Sequence, residues 1–451
     1  PLFPLVLAQE DEPKPKSEGL PAKVEGEIPL EWADALDWRS VGPACMGGRI
    51  TDVAVNPDNP SEQWVSTATG GLLHTTNNGV TYEHQFDSQR VGSVGSVCVS
   101  HSNPKTVWVG TGEANPRNSV SFGNGVYRSL DSGATWDHMG LEDSFQIAEV
   151  RVHPDDDNTI YVAALGRLWG PNDERGLYRS QDGGESWQRI LEVDENTGVV
   201  ELALKPGEPN VILAATYERR RDMYDTNDPA SKWGPGSALW RTEDGGDNWT
   251  RLTSAEGTSG LPTVMLGRIG VDFCQSDPNV VFATVETELI TQEPEDAAWI
   301  GVRAVDAEVG ARITNVEEDS PADEAGLKED DILLRVDDQT LLNWDATTKL
   351  LRKHTAGDKV AAEVIRGGEL LALEFTLGPR PEQEGSRDDE LGYPRSGPFS
   401  IGLGGQKANA QDDQGAKGKE FGGLFRSQDA GLTWSRINSL NPRPMYYSEV
   451  R

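Results

Sequence analysis

Short apolar runs alternate along this chain with turns rich in Pro, Asn and Asp, and the resulting strand–turn–strand unit occurs five times. Apolar runs of this length, bounded by turn-forming residues, are typical of β-strands. Two further strand-like runs follow each unit, so the pattern predicts a repeat of four strands. The copies of the unit span residues 50–67, 94–110, 147–163, 199–214 and 269–285.

An eight-residue turn motif, S/T-x-D-x-G-x-x-W, joins the last two strands of a repeat. It occurs at 129–136, 180–187, 242–249 and 427–434, and a degenerate copy occupies 75–82. We expect the Asp to accept hydrogen bonds from turn amides, the Gly to take a positive φ and the Trp to pack back under the hairpin. The residues assigned these structural roles are Asp131, Gly133, Trp136, Asp182, Gly184, Trp187, Asp244, Gly246, Trp249, Asp429, Gly431 and Trp434.

These motifs resemble the Asp-box (BNR) repeats of the β-propeller blades in sialidases, xyloglucanases and sortilin-type receptors. The resemblance implies an all-β propeller of four-stranded blades. Five blades are expected to be complete, and a sixth is expected to start at 445–450, as in a fragment of a protein with seven or more blades. The predicted blades cover 49–88, 94–140, 147–192, 198–253 and 265–438.

The fifth repeat is interrupted after its second strand by a segment, 296–379, that has its own pattern. The runs GARITNV (310–316), SPADEAGL (320–327) and DIL (331–333) closely resemble an α+β PDZ domain of the bacterial protease-associated kind. The resemblance implies that this domain captures the C-terminal tails of peptides.

In such domains the backbone amides of a loop bind the terminal carboxylate of the peptide. The loop residues implied here are Trp299, Ile300, Gly301 and Val302, and Leu350 or Leu351 would line the side-chain pocket. The predicted domain order is a propeller segment over 36–295, the PDZ domain, a linker over 380–420, and the rest of the propeller over 421–451.

The longest loops follow the second strands of the repeats, on the face of the propeller opposite to the Asp boxes. Their basic, amide and aromatic side chains suit a carbohydrate or an acidic peptide. Alternatively, these side chains hydrogen-bond one another and brace the loops. The candidate ligand-binding residues are Arg49, Asn115, Arg117, Asn118, Arg167, Trp169, Asn172, Arg175, Arg219 and Arg268.

A carboxylate recurs at the third position of the first strand in several repeats. The residues are Asp52, Glu149, Glu201 and Glu449. Such a partial ring would either hold a cation or pair with Arg49, Arg151 and Arg268 between blades.

A second hypothesis is that the propeller face with the long loops is catalytic. A glycosidase needs two carboxylates about 5–9.5 Å apart. Glu113 is the best candidate, with Glu174 or Asp173 as its partner. The Asp that xyloglucanase-type propellers carry before a Gly-Gly pair is absent from 66–71, and neither a G-x-S-x-G nor an H-E-x-x-H motif occurs. We therefore expect no resident metal and no cofactor.

The net charge of −33 argues against nucleic acid or an anionic membrane as a partner, because both need a basic face. No run is apolar and long enough to span a bilayer. Residues 1–8 are similar to the end of a signal peptide, and 9–35 read as a disordered leader.

The leading hypothesis is thus an exported protein, periplasmic or extracellular, that binds a peptide or a glycan on its propeller and peptide tails on its PDZ domain. The alternative is a polysaccharide hydrolase that uses Glu113.

Overall fold

A computed structural model describes most of the chain beyond residue 47. The described ranges are 48–115, 120–221, 231–254, 256–290, 298–351, 353–379, 400–402, 405–415 and 417–450. The predicted signal-peptide remnant, the predicted leader and the first part of the predicted linker lie outside these ranges. So do two candidate ligand-binding residues, Arg117 and Asn118.

Five four-stranded antiparallel sheets carry the five sequence repeats, and each sheet is formed by strands in chain order. The strands of the first three sheets are β1 (Ile50–Val55), β2 (Gln63–Thr67), β3 (Leu72–Thr75), β4 (Glu83–His84), β5 (Val94–Val99), β6 (Val107–Thr111), β7 (Val126–Ser129), β8 (Asp137–His138), β9 (Ile147–His153), β10 (Asp156–Ala164), β11 (Gly176–Ser180) and β12 (Gln188–Leu191). The fourth sheet contains β13 (Thr197–Leu204), β14 (Ile212–Glu218), β15 (Ala238–Thr242) and β16 (Thr250–Arg251).

The fifth sheet contains a second domain, inserted between its second and third strands. Its strands are β17 (Leu266–Phe273), β18 (Val281–Thr287), β29 (Gly423–Ser427) and β30 (Ser435–Asn438). The prediction of an all-β propeller of four-stranded Asp-box repeats with an inserted α+β domain is confirmed.

Consecutive sheets pack against each other through their apolar faces. One buried cluster joins Trp64 and Phe86 of the first sheet to Val97 and Val107 of the second. Similar clusters join the later sheets. Because the second, third and fourth sheets each pack between two neighbours, their central strands are almost continuously apolar rather than alternating.

The Asp-box turns have the predicted hydrogen bonds. In the second repeat Asp131 accepts from the Thr135 amide at 2.8 Å, and the Ser129 hydroxyl accepts from the Gly133 amide at 2.8 Å. Gly133 has a φ of +92°, a conformation that strongly favours glycine. The same bonds recur around Asp182, Asp244 and Asp429.

The Asp-box tryptophans are anchored in two ways. Trp249 and Trp434 donate to the carbonyl of a glycine in their own turn, as the packing under the hairpin predicts. Trp136 and Trp187 instead donate to carbonyls in the preceding sheet, those of Gln85 and Met139, at 2.9 and 2.7 Å.

An arginine before each of three boxes reaches forward to the next sheet. Arg128 donates to the Gly183 carbonyl at 2.7 Å and Arg179 to the Gly245 carbonyl at 3.0 Å. Arg241 donates in the same way to the Ala430 carbonyl at 3.1 Å. Hydrogen bonds from these tryptophans and arginines therefore connect neighbouring repeats.

Hydrogen bonds to the box carboxylates are expected to make the protein sensitive to acid. Bonds from Ser186 and Ser180 lower the pKa of Asp182 to about 2, and bonds from Thr135 lower the pKa of Asp131. A carboxyl whose pKa is lower in the folded state stabilises the fold above its unfolded pKa, near 4, and this contribution is lost as the pH falls through the folded pKa. We expect the Tm, followed by circular dichroism, to fall between about pH 4 and pH 2. A smaller fall in Asp182→Asn would support this cause, and a Tm that stays level down to pH 2 would contradict it.

The inserted domain is a small α+β unit around one sheet. Its strands are β19 (Ala298–Trp299), β20 (Val302–Asp306), β21 (Ala311–Val316), β22 (Ile332–Val336), β23 (Gln339–Thr340), β24 (Lys359–Arg366), β25 (Glu369–Thr376) and β26 (Gly378–Pro379), and its helices are α1 (Pro321–Glu324) and α2 (Trp344–Leu351). The sheet order β20–β21–β22–β24–β25 places β20 at an edge. Ser320 caps α1, because its hydroxyl accepts from the Asp323 amide.

The residues after the fifth sheet do not form the predicted strand. Pro444–Tyr447 forms a short helix, α3, and the described residues that follow it have no regular structure. A proline at the first position of α3 favours the helix. The strand assigned to 445–450 is therefore wrong, although Ser448 and Glu449 do lie against Gly270 of β17. A further hairpin, β27 (Ser400–Gly402) with β28 (Gly405–Gln406), precedes β29.

Candidate functional site

The first strands of all five repeats contain a β-bulge near their start. A bulge redirects the side chain at that position. One residue from each bulge lines the same cavity: Thr51, Gly95, Ala148, Val200 and Arg268. The cavity has a volume of about 20 Å³, which is room for about one water molecule. Ala114, Asn115, Glu201 and Glu449 complete its lining.

Arg268 is the basic residue of this cavity, and it is almost fully buried. Its guanidinium donates to the Asn115 side chain at 2.8 Å and to the Glu449 carboxylate at 2.8 Å. It also donates to the Tyr446 carbonyl at 3.2 Å. Two of the predicted ligand-binding residues, Arg268 and Asn115, thus bind each other.

Glu113, the predicted catalytic carboxylate, is fully buried and paired with Arg49. Both carboxylate oxygens accept from that guanidinium, one of them from Nε at 2.9 Å. Glu174, its predicted partner in catalysis, accepts from the Tyr178 hydroxyl at 3.0 Å. Burial, together with this carboxylate, raises the pKa of Tyr178.

Arg175 braces the loop of the third repeat from inside. It is buried, and it donates to four backbone carbonyls, those of Leu165, Arg167, Gly170 and Glu195. Burial lowers the pKa of Arg175 to about 10. The buried Asn172 accepts from the Arg167 amide in the same loop. Arg175 and Asn172 therefore stabilise the loop through internal hydrogen bonds, which was the alternative to ligand binding for these side chains.

The loop that Arg175 braces presents two exposed residues. Trp169 is 43% exposed, and the exposed Arg167 lies over the Phe145 ring at 5.1 Å. Phe122 is 66% exposed in the neighbouring loop, where the Gly123 amide donates to the Phe145 carbonyl. The sequence analysis missed Phe122 and Phe145. An aromatic residue in a polar, Gly-rich loop was the available signal for Phe122.

The recurrent carboxylates of the first strands connect neighbouring sheets. Asp52 accepts from the Ser96 hydroxyl at 2.9 Å and from the Val97 amide at 3.2 Å. Glu149 accepts from the Leu202 amide at 2.7 Å and pairs with Arg151. Within the described ranges no three His, Cys, Asp or Glu side chains are grouped as metal ligands would be, and no helix there is long and apolar enough to cross a bilayer.

The inserted domain has a second candidate site, at the loop before β20. Gly301 has a φ of +78°, and the carbonyls of Ile300 and Gly301 accept from the Ala322 and Glu317 amides at 3.0 and 2.8 Å. In the described part of the chain, the amides of Ile300 and Gly301 donate to no acceptor. The loop therefore presents two unpaired N–H groups beside an edge strand.

Helix α2 lies beside β20. The Trp344 amide at its start donates to Asp306 at the end of β20, at 2.9 Å. Leu350 and Leu351 are buried in the apolar core of the domain, which also contains Ile300. Trp299 pairs with Gly378, so its backbone belongs to the short β19–β26 ladder rather than to the loop.

Comparison with known proteins identifies two segments of the chain. Residues 124–285 match the profile described as sortilin, neurotensin receptor 3, and residues 298–377 match the PDZ domain. A probable periplasmic serine endoprotease DegP-like of Marinomonas sp. is 32% identical over 127 residues, which are 26% of this chain and 27% of that protein. A xyloglucanase of Paenibacillus sp. is 26% identical over 139 residues, which are 29% of this chain and 12% of that enzyme.

Among solved structures, a GH74 enzyme of Niastella koreensis is similar to this chain. It is 16% identical, with a TM-score of 0.40, over 88% of this chain and 57% of that one. The chain spans about a quarter of the length of the DegP-like relative. The five four-stranded sheets, four of them with Asp boxes, agree with the sortilin match and the PDZ match. The chain therefore combines a β-propeller of the sortilin-like, Asp-box repeat type with an inserted PDZ domain.

Proposed function

We propose that this chain is part of an exported binding protein whose PDZ domain captures the C-terminal tails of peptides. The observation that carries the proposal is the pair of unpaired amides, of Ile300 and Gly301, at the start of an edge strand. Unpaired backbone donors at such a place suit an anionic group that accepts from both. The carboxylate at a peptide terminus is an anion of this kind.

The edge strand that follows this loop suits an extended peptide. One edge of β20 has no strand partner among the described residues, so a peptide can add to it by backbone hydrogen bonds. The pocket for the last side chain of the peptide would lie near Ile300, Leu350 and Leu351, which are all apolar. This favours a peptide that ends in an apolar residue.

The propeller supplies a second binding surface in this proposal. Phe122, Arg167 and Trp169 are exposed, and the loop that carries two of them is fixed by Arg175. Rigid aromatic and arginine side chains contribute strongly to binding of peptides or glycans. Two weak sites on one chain also gain from effective concentration, because the second contact forms intramolecularly.

Export is the remaining part of the proposal. The printed names of the DegP-like relatives place those proteins in the periplasm. A PDZ domain of that kind in this chain supports the same compartment, in which C-terminal tails of other proteins are available as ligands.

Peptide affinity with and without a free carboxylate tests the function. We expect a fluorescent peptide that ends in Val to bind in an anisotropy titration, and its amidated form to bind at least about tenfold more weakly, because amidation removes the charge that strengthens hydrogen bonds. A peptide with an acidic last residue serves as the control for the pocket. Equal affinity of the free-acid and amidated forms would overturn the proposed capture of C-termini.

A further inference from the structure

A group of buried arginines lies inside the fourth and fifth repeats. Tyr217, Arg219 and Arg221 follow one another at every second position at the end of β14, and all three are buried. Only Tyr217 lies within β14, and Arg219 and Arg221 follow the end of that strand at Glu218. β14 packs against β17, the strand that carries Arg268.

Arg219 is the best-defined member of the group. It is fully buried, and its two terminal nitrogens donate to neutral acceptors, the Ala114 carbonyl at 3.2 Å and the Gln146 side chain at 2.7 Å. Its Nε is buried without an acceptor in the described part of the chain. Burial, and then the nearby charge of Arg175, lower the pKa of Arg219 to about 9, so the guanidinium stays protonated at neutral pH.

Among the described residues, two neighbouring donors also lack acceptors. The Tyr217 hydroxyl is buried and unpaired, and so is Nε of Arg268. Burial, and then the Glu286 carboxylate, raise the pKa of Tyr217, and Arg219 is the first of the arginines that oppose this shift. Glu286 acts on the same hydroxyl, and its carboxylate accepts from the Arg268 amide at 3.0 Å.

A buried cation with an unpaired donor is costly, and a counter-charge that accepts those hydrogen bonds removes the cost. We infer that a small inorganic anion, such as chloride, binds between Arg219 and Tyr217 and accepts from Nε of one and the hydroxyl of the other. Full burial of Arg219 favours a small ion over a peptide or a sugar. Ala114 and Asn115, which accept from Arg219 and Arg268, are adjacent in the chain and both line the cavity at the bulges.

Thermal unfolding at constant ionic strength tests this inference. The chain is dialysed into sodium gluconate, and gluconate is then replaced stepwise by chloride or bromide. We expect the Tm to rise with halide concentration and to saturate, because a ligand that binds only the folded state stabilises it. A Tm that does not respond to the replacement would overturn the inference.

Two variants test whether the rise of the Tm with chloride depends on Arg219 and Tyr217. Tyr217→Phe removes one donor and keeps the ring, so the half-saturating chloride concentration should rise about fivefold, as expected for the loss of one hydrogen bond. Arg219→Gln should remove the chloride response, whereas Arg312→Gln, at an exposed arginine of the PDZ domain, should keep it. An unchanged chloride response in both Tyr217→Phe and Arg219→Gln would overturn the inference.

A structural measurement remains informative if Arg219→Gln does not fold. Crystals soaked in bromide should show an anomalous peak within hydrogen-bonding distance of Arg219 Nε and the Tyr217 hydroxyl. Well-ordered crystals with bromide peaks at other places, and none there, would contradict the site.

Discussion

Replacing Arg49 by Met is expected to lower the free energy of unfolding by about 3–5 kcal/mol, because it leaves a buried carboxylate without a counter-charge. Glu113 is fully buried, whereas 33% of the Arg49 side chain is exposed. The reverse change, Glu113→Gln, leaves a guanidinium that reaches water, and we expect it to cost only about 1–3 kcal/mol. Arg49→Met should therefore lower the free energy of unfolding more than Glu113→Gln does.

Urea denaturation followed by tryptophan fluorescence measures both changes. The double variant, Arg49→Met with Glu113→Gln, should recover part of the loss, because neither partner is then left as an uncompensated charge. The surface pair Arg312–Asp330, with 51% and 85% exposed side chains, provides the control, and Arg312→Met should cost less than about 1 kcal/mol. A larger cost for Glu113→Gln than for Arg49→Met would contradict the explanation by burial.

Glu113→Gln also tests the alternative of a polysaccharide hydrolase. The pairing of both carboxylate oxygens with Arg49 gives Glu113 a structural role. Release of reducing ends from a panel of polysaccharides by the native protein, lost in a folded Glu113→Gln variant, would instead assign it to catalysis. Without release by the native protein, the binding function is favoured.

Replacing Gly301 by Ala is expected to weaken peptide binding by at least about tenfold, the effect of losing one hydrogen bond to a charged group. At a φ of +78° an added Cβ would contact the Ser320 side chain and come within 3.1 Å of the Trp299 ring. Ser320 cannot move aside easily, because it is fully buried and caps α1. The loop must shift instead, and its two amides then no longer point to one place.

Gly326→Ala is the matched control. Gly326 lies in the same domain at a φ of +77°, but its added Cβ would meet no atom within 4 Å. Both variants therefore carry the same backbone strain, and only Gly301→Ala disturbs the loop. Equal affinities of the two variants, measured by anisotropy with one free-acid peptide, would show that the loop does not bind the carboxylate.

The repeats and the turns were predictable from the sequence because their causes are local. Asp131, Gly133 and Ser129 interact within five residues, so the motif already contains the bonds that form the turn. The inserted domain was predictable for a related reason, since its loop, cap and strand runs are contiguous in the chain. What these elements have in common is a short separation between interacting residues.

The candidate site was less predictable, because the role of each residue there depends on its burial and on partners far away in the sequence. Arg219 and Gln146 are 73 residues apart, and Arg268 and Glu449 are 181 apart. The sequence identifies arginines in loops but does not distinguish one that binds a carbonyl inside the protein, as Arg175 does, from one that faces solvent, as Arg167 does. The helix at 444–447 was missed because a proline at its start outweighed the strand-forming residues that follow.

The ladder of β19 and β26 also bears on how this chain could have evolved. It places the two ends of the PDZ domain side by side, with Ala298 opposite Pro379 and Trp299 opposite Gly378. The strands that flank the insertion, β18 and β29, remain paired, with Val285 opposite Gly423. A long insertion between paired strands costs mainly loop-closure entropy, which grows slowly with length. A repeat protein can thus acquire a complete recognition domain in a single genetic event and keep the hydrogen bonds of the sheet that receives it.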